Sequence, residues 1–207
     1  MPRAPFLNLS ADKQAAIVSA ATAEFAEHGY RGASTNRIVA EVGISKGSLF
    51  YYFDGKDDLY LHVYEQWAKA FAAELERHRD KWSRDLLQRL RIMTESGLDI
   101  LVRDPGAFRL QASFLEPEVT HLRERYTAEH ARDAVDEFHD WFGDIDRSML
   151  RYDWATTMRL VMWTYLGMKT ELIYMRPLPG DPSDFKKTFM ERLDLVINVL
   201  RQALYVE

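Results

Sequence analysis

The sequence predicts an all-α fold, and three observations lead to this prediction. Apolar residues recur three or four positions apart through most of the chain, which is the spacing of one face of an amphipathic helix. Glycines, prolines and helix-capping residues divide this pattern into segments of ordinary helical length. The sequence shows neither the strict apolar-polar alternation of a half-buried strand nor an internal repeat. We therefore expect about nine helices, arranged as a small N-terminal head of three helices and a larger C-terminal helical domain.

The head is expected within residues 1–58. Residues that can cap free backbone amides begin its three helices, and glycines end the first two. These signals are Ser10 and Gly29, Ser34 and Gly43, and Ser45 for the start of the third helix. The inner faces carry Ile17, Ala21, Phe25, Ile38, Val42, Leu49 and Phe53. Two short helices joined by a tight turn predict a helix-turn-helix over about residues 34–53.

The C-terminal domain is expected to comprise residues 59–207. Its first helix is long and carries Leu59, Val63 and Trp67 on one face. Later helix boundaries are marked by Arg79, Ser83, Asp104-Pro105, Pro117, Asp146, Asp153, Pro177 and Ser183. The last two helices present broader apolar faces than one small domain needs to bury against itself. These faces therefore predict a contact with a second chain.

The composition excludes several classes of protein. Because the chain has no cysteine, it has no disulfide, no thiolate metal site and no cysteine nucleophile. No run of about 18 apolar residues could span a bilayer, and the first ten residues lack the apolar stretch of a secretory signal, so we expect a cytoplasmic protein. The net charge is −5, but the first 56 residues contain six basic and five acidic side chains. A weakly basic head permits binding to DNA without indicating it.

The chemistry that does indicate a function lies in residues 29–56. Gly43 allows the tight turn, and Ser45 can cap the helix that follows, so that the first residues of this helix point outward. The helix that begins at Ser34 and Thr35 also has free amides and a dipole that suit a phosphate group. Both features are typical of a surface that binds nucleic acid.

The outward residues of the third helix have suitable chemistry for DNA. Lys46 can donate to guanine O6 or N7, Gly47 has no side chain to hold the backbone away from the bases, and Ser48 can donate or accept. Tyr51 and Tyr52 carry hydroxyl groups on a helix whose other face is apolar, so phosphate oxygens are suitable partners. Taken singly, the tyrosines also fit ordinary packing, and it is their joint spacing that favours DNA.

Five features stand together in this segment. They are the Gly29-Tyr30 helix end, the Ser34-Thr35 helix start, the run Gly43-Ile44-Ser45-Lys46-Gly47, the aromatic run from Leu49 to Phe53, and Lys56 followed by Leu59. In combination they resemble the TetR family of bacterial transcriptional regulators, over about a quarter of the chain. The resemblance implies a homodimer that pairs its last two helices and binds a palindromic operator, most often as a repressor that a small-molecule ligand releases.

The resemblance also assigns individual residues. Positions that match base contacts are Asn36, Lys46, Gly47, Ser48 and Phe50, and positions that match phosphate contacts are Thr35, Tyr51, Tyr52 and Lys56. Ser34, Arg37 and Ser45 complete the expected DNA-binding set. Ala33 stands where many relatives have threonine, and Phe50 stands where many have tyrosine. The Phe50 ring can still contact a thymine methyl group, but it lacks the hydroxyl hydrogen bond. Asn36, in the first turn of its helix, also fits a purely capping role.

A small apolar or aromatic ligand is expected in the C-terminal domain. Candidate contacts are Met93, Phe108, Phe114, Trp141, Met162 and Trp163. A helical stripe of methionine and aromatic residues fits an ordinary core equally well. No cofactor is expected.

An enzymatic function finds little support in the sequence. Glu118 with His121, and Asp136 with His139, imitate the carboxylate-histidine pairs of di-iron bundles. On one continuous helix the two pairs would lie roughly 27 Å apart, so we expect no metal site. No phosphate-binding glycine loop and no nucleophile-base motif occurs. Three interpretations remain: a ligand-released repressor, an activator or ligand-independent DNA-binding regulator, and a helical enzyme or scaffold that does not bind DNA.

Overall fold

The computed structural model describes residues 2–130, 140–174 and 181–206, and it confirms the all-α prediction. The α helices in these ranges are α1 (Ala4–Leu7), α2 (Ala11–Gly32), α3 (Thr35–Val42), α4 (Lys46–Tyr52), α5 (Gly55–Glu76), α6 (Leu86–Arg103), α7 (Pro105–Ser113), α8 (Thr120–Glu129), α9 (Trp154–Tyr174) and α10 (Pro182–Leu204). Short 3-10 helices span Arg79–Lys81 and Pro117–Val119. In the same ranges, β pairing is limited to an isolated antiparallel bridge between Leu150 and Tyr205.

The observed helices differ from the predicted ones in several places, and α6 begins at Leu86, three residues after the predicted cap Ser83. The four-residue helix α1 was not predicted, because so short a segment has no measurable periodicity. Helix α2 continues past the predicted stop at Gly29, which interrupts it as a kink with φ 64° and ψ 176°. The charged segment predicted over about 118–146 begins as α8, and residues 131–139 lie outside the described ranges.

Contacts divide the chain into two units. The first comprises Met1–Ala73 and Asp104–Ala131, and the second comprises Glu74–Arg103 and Arg132–Glu207. The predicted domain boundary after residue 58 falls inside α5 and stays a prediction. Helices α7 and α8, which the sequence assigned to the C-terminal domain, lie in the same unit as α1 to α4.

One apolar core connects the helices of the first unit. Its buried members include Ile17, Phe25, Ile38, Leu49, Phe53, Leu59, Tyr60, Val63, Leu110, Phe114, Val119 and Leu122. Two polar contacts fix the same helices: the Tyr60 hydroxyl lies 2.7 Å from Ser113 Oγ, and Arg109 Nε donates to the Ala26 carbonyl at 3.1 Å. Because Leu49 and Phe53 belong to this core, α4 is held from its inner side.

The second unit is built on α6, α9 and α10. Three ion pairs connect α6 and the residue before it to α10: Asp85 with Arg201, Arg91 with Asp194, and Asp99 with Lys186. Arg89 is buried, and its guanidinium donates to Asp144 and to the carbonyls of Ser83 and Trp141, so its charge is paired. Of the helices that the structure describes, none has the length and apolar character needed to cross a membrane.

Candidate nucleic-acid interface

Helices α3 and α4 are joined by the tight turn that the sequence predicts. Gly43 has φ 73° and ψ 33°, the left-handed conformation that glycine adopts most readily. Ser45 precedes α4, and its Oγ accepts the backbone N–H of Ser48 at 3.0 Å. The Ser48 hydroxyl lies 2.8 Å from the same Oγ. The predicted turn and cap are therefore confirmed, and they determine which face of α4 points outward.

Helix α4 has one buried and one exposed face. Leu49 is 2% exposed and Phe53, directly after the helix, is 1% exposed. On the opposite face Tyr51 is 62% exposed. The other outward side chains on and before α4 are those of Ser45, Lys46 and Phe50, and Gly47 exposes its backbone, whereas Ser48 and Tyr52 are half-buried. The residues predicted to contact DNA through α4 thus share an accessible surface, and Leu49 and Phe53 on the opposite face pack in the core.

Lys46 and Phe50 form a pair on this surface. The Lys46 ammonium lies 5.8 Å from the centroid of the Phe50 ring. In the part of the chain that the structure describes, no carboxylate pairs with Lys46, so its charge remains available to an anionic partner. Phe50 is 38% exposed and presents an apolar ring beside that charge.

Arg37 is turned toward its own chain. Its Nε donates to Glu24 Oε1 at 2.9 Å, and its Nη2 donates to the Gly32 carbonyl at 2.8 Å. Glu24 Oε1 also accepts the backbone N–H of Ser34 at 2.7 Å, at the start of α3. The hydrogen bonds from Arg37 are the main reason why the pKa of Glu24 lies below its ordinary value. A carboxylate of the chain itself therefore uses one of the amides that the sequence assigned to a phosphate.

The other three predicted residues at the start of α3 are placed differently from Arg37. Thr35 is half-buried and Asn36 is exposed. Ser34 occupies the N-cap position but makes no capping bond through its side chain. Asn36 therefore keeps a side chain that a duplex can reach, and the assignment of all four residues to DNA stays a prediction.

The Lys56 side chain also donates hydrogen bonds to the protein backbone. Its Nζ donates to the Ala33 carbonyl at 2.8 Å and to the Arg31 carbonyl at 3.3 Å, and lies 4.8 Å from the centroid of the Tyr30 ring. Burial is the main cause of a lowered pKa at Lys56. These bonds hold the end of α2 against the start of α5, so the predicted phosphate contact of Lys56 stays a prediction.

Arg3 contacts α4 and was not among the residues predicted from the sequence. Arg3 donates from its backbone N–H to the Tyr52 carbonyl and from its guanidinium to the Phe50 carbonyl. The only signal in the sequence was Pro5, which is common in the first turn of a helix.

The predicted ligand residues do not share one environment. Phe114 lies in the first unit, with its ring stacked on Tyr64 at a centroid distance of 3.5 Å. Met93 is buried, Met162 and Trp141 are half-buried, and Trp141 Nε1 donates to Glu76 Oε1 at 2.9 Å.

Trp163 is 66% exposed, and the side chain of Phe108 lies outside the described part of the structure. Exposure of this size suits contact with a second chain better than the lining of a cavity. The ligand assignment stays a prediction.

Of the two carboxylate-histidine pairs noted in the sequence, only Glu118 with His121 lies within the described residues. His121 Nε2 lies 3.6 Å from Asp57 Oδ2, whereas Asp136 and His139 fall outside the described residues. Among the residues that are described, no group of three or more histidine and carboxylate side chains is arranged to hold a metal ion.

An all-helical chain whose second short helix is capped, anchored and exposed in this way defines a helix-turn-helix protein. A family model described as "Bacterial regulatory proteins, tetR family" matches residues 17–63. The TetR resemblance predicted from the sequence is thereby confirmed over these residues.

Curated relatives match mainly over the same N-terminal region. The transcriptional regulator RutR of Escherichia coli is 35% identical over 71 residues, which cover 34% of this chain and 34% of RutR. The transcriptional repressor AcnR of Corynebacterium diphtheriae is 44% identical over 45 residues, covering 22% and 24%. The transcriptional activator FasR of Mycolicibacterium smegmatis is 28% identical over 127 residues, covering 60% and 57%. The match thus spans about a third of the length of RutR, and these relatives are named as regulators rather than enzymes.

Solved structures extend the likeness of the fold to the whole chain. A TetR family transcriptional regulator from Chloroflexus aurantiacus has a TM-score of 0.59 at 21% identity, and the alignment covers 100% of both chains. A transcriptional regulator from Aquifex aeolicus has a TM-score of 0.61 at 20% identity, covering 89% of this chain and 99% of the other. At these identities the likeness shows a shared fold.

Proposed function

We propose that this protein is a DNA-binding transcription regulator, most simply a repressor, that binds a palindromic operator as a homodimer. The observation that carries the proposal is the exposed face of α4. Lys46, Gly47 and Tyr51 are accessible there, while Leu49 and Phe53 fix the helix from its inner side. A helix held in this way can enter the major groove, which is about 12 Å wide, without losing its packing on the protein.

The chemistry of that face fits a duplex rather than a small substrate. Lys46 supplies a cation for guanine or phosphate, Gly47 allows close approach of the backbone, and the Phe50 ring suits a thymine methyl group. The Tyr51 hydroxyl suits a phosphate oxygen, which positions the helix without reading sequence. With DNA as its partner, the protein acts in the cytoplasm and needs no catalytic site.

A homodimer is supported by exposed apolar residues on the last two helices. Trp163 and Leu166 of α9, and Leu195 and Val199 of α10, are all exposed in the single chain. Side chains of this size on neighbouring helices are typical of an interface between subunits. Two heads related by a twofold axis would read the two halves of a palindrome.

Release by a ligand is the part of the proposal that rests on the family alone. Helix α5 leaves the head and continues to Glu76, so a ligand that shifts this helix would change the position of α4. Such coupling is typically worth about 1 to 3 kcal/mol. Because AcnR is named a repressor and FasR an activator, activation or ligand-independent binding is the second candidate.

The test compares duplex binding by two matched double variants. The wild-type dimer is used to select duplexes from a random pool, and fluorescence anisotropy then measures affinity for the selected palindrome. Replacing Lys46 and Tyr51 by alanine should lower that affinity by at least about a hundredfold, since a cationic and a positioning contact are both lost. Circular dichroism should show unchanged helical content, because both side chains are exposed.

The control variant replaces Lys81 and Tyr152 by alanine; they are exposed residues of the same two types in the second unit and lie outside α9 and α10. It should bind the palindrome like the wild type. If the wild-type protein binds no duplex at low salt, the chain is a scaffold or an enzyme and the proposal is wrong. If the Lys46 and Tyr51 variant binds normally, α4 is not the recognition helix.

A further inference from the structure

Helix α4 is too short to be stable without support at both ends. It has seven residues, whereas isolated helices shorter than about 12 to 15 residues are marginal in water. Its first amides are partly satisfied by the Ser45 cap. The carbonyls of its last turn need partners too, and the chain supplies them from its N-terminus.

Arg3 makes three hydrogen bonds at the C-terminal end of α4. Its backbone N–H donates to the Tyr52 carbonyl at 2.8 Å, and its Nη1 donates to the Phe50 carbonyl at 3.0 Å. Its Nη2 donates to Asp54 Oδ1 at 2.8 Å, just beyond the helix. A guanidinium at this end also interacts favourably with the negative end of the helix dipole. One residue therefore satisfies two carbonyls of α4 and the carboxylate that follows.

The segment after Arg3 is fixed against the head as well. Phe6 is buried, with its ring centroid 4.8 Å from that of Phe53 and 6.2 Å from that of Tyr52. Gln14 of α2 donates from Nε2 to the carbonyls of Leu7 and Leu9 at 3.2 and 3.0 Å. The N-terminal brace, residues 3–9, is thus bound to α4 at one end and to α2 at the other.

We infer that the N-terminal brace holds α4 in position for DNA, and that Arg3 is a positioning residue for operator recognition. The inference rests on the proposed function and adds a determinant outside the helix-turn-helix. Without the brace the last turn of α4 loses hydrogen bonds and packing, and the cost of ordering it is subtracted from the free energy of binding DNA. The brace acts through Phe50, Tyr51 and Tyr52, which lie in that turn.

A direct contact between Arg3 and a phosphate is the competing explanation, since the side chain is 47% exposed. The two roles differ in their salt dependence. Loss of one phosphate contact reduces the slope of log K against log salt by about 0.9, because one fewer counterion is released. Loss of a positioning contact lowers affinity at every salt concentration and leaves the slope unchanged.

The experiment measures operator binding by full-length Arg3→Ala between low and moderate salt, beside amide hydrogen exchange of the free protein. Affinity should fall about fivefold, which matches the sum of a helix-terminus interaction and an exposed ion pair, with an unchanged slope. Amides from Leu49 to Phe53 should exchange faster while the overall Tm changes little. Lys13→Ala, which removes the same charge from an exposed position of α2, should change neither the slope nor the exchange of α4.

Phe6→Leu gives a second variant that alters the brace without altering charge. It should also weaken operator binding and speed exchange in α4, which a phosphate contact of Arg3 would not explain. Its Tm identifies any general loss of folding. Unchanged affinity of Arg3→Ala, or a slope reduced by about 0.9, would overturn the inference. If the wild type itself binds no duplex, the proposed function fails, and faster exchange in Arg3→Ala then still reports on the brace separately.

Discussion

Glu24 is the residue that fixes the start of α3 against α2. Its side chain is 9% exposed, and its carboxylate accepts from the Ser34 amide and from the guanidinium of Arg37. His28 Nε2 approaches the same carboxylate at 3.8 Å. The Arg37 side chain is 52% exposed, so screening by solvent limits the contribution of the ion pair to stability. Glu24 nevertheless satisfies an amide that the cap of α3 leaves free.

This arrangement predicts a pH-dependent stability. The pKa of Glu24 is lowered from its ordinary value of 4.5, mainly by hydrogen bonds from Arg37. A carboxyl group whose pKa is lowered by folding stabilises the protein above that ordinary value, and the contribution is lost as the pH falls through the lower folded pKa. Glu24→Gln should therefore reduce Tm by a few degrees at pH 7, and the difference from the wild type should shrink below pH 4.5.

Thermal unfolding by circular dichroism between pH 3 and pH 7 would check this expectation. Glu41→Gln, at an exposed position of α3, serves as the control and should leave Tm unchanged across the range. A difference that stays constant at low pH would mean that the charge of Glu24 is not what stabilises the contact.

Residues with local partners could be predicted from the sequence, and residues with distant partners could not. The Ser45 cap was predictable because its acceptor and donor lie three positions apart. Arg37 and Lys56 were assigned to DNA because their positive charge suits a phosphate group. Their hydrogen-bond partners within the protein could not be predicted from the sequence. Glu24 lies in a different helix from Arg37, and Lys56 is bonded to backbone carbonyls, which no side-chain pattern reveals.

At the scale of the element, the helix-turn-helix contains two glycines with different physical roles. Gly43 adopts a positive φ, and a Cβ there would meet no atom within 4 Å, so the cost of a side chain lies in the backbone alone. Gly47 is helical, and a Cβ there would meet Ser45 Oγ at 3.7 Å, an ordinary contact. The protein therefore has room for an alanine side chain at Gly47, and only a bound partner such as DNA would clash with the added methyl group.

Gly47→Ala should move stability and DNA binding in opposite directions. Replacing glycine by alanine inside a helix stabilises by up to about 1 kcal/mol, which raises Tm by roughly 2 to 4 °C in a chain of this size. The added methyl group would hold the backbone away from the bases, so operator affinity should fall about tenfold. Thermal unfolding and fluorescence anisotropy on the same preparation would measure both effects.

Gly43→Ala is the matched control, because the left-handed conformation costs about 1 to 2 kcal/mol for alanine. Its Tm should fall rather than rise. If Gly47→Ala bound the operator as the wild type does, the close approach of α4 to the bases would be excluded.

The order of the elements was predictable because each helix carries its own start and stop signals. Helix α1 was missed since it has too few residues for a pattern, and its stability comes from Phe6 and Arg3, which contact distant residues. The kink at Gly29 shows a related limit: glycine marks a break in helical geometry, but packing decides whether the helix resumes.

At the scale of the whole molecule, sequence periodicity located the longer helices of the described ranges but did not predict how they group. Leu110 of α7 and Phe114, directly after α7, share a core with Phe25 and Leu49, although the sequence placed α7 with the C-terminal domain. A hydrophobic stripe predicts that one face of a helix is buried, but it does not predict which element packs against that face. The apolar face of α9 and α10 has the same character, because Trp163, Leu166, Leu195 and Val199 on it are exposed in the single chain.

That face leads to a prediction about assembly. Trp163 and Leu195 are each 66% exposed, so charged residues there should not disturb the folded single chain. Replacing both by glutamate would place four like charges across a twofold interface, at a high desolvation cost. Analytical ultracentrifugation should then show a mass near 24.2 kDa instead of twice that value.

Operator binding should be lost with the dimer, because one head contacts only half of a palindrome, while the circular dichroism spectrum should stay helical. The control replaces Met149 and Tyr152 by glutamate; both are exposed in the second unit but lie outside α9 and α10. This control should remain dimeric and bind DNA normally. A dimer that survives the change at Trp163 and Leu195 would assign assembly to another surface, whereas a monomer that still binds the palindrome tightly would show that recognition needs only one head.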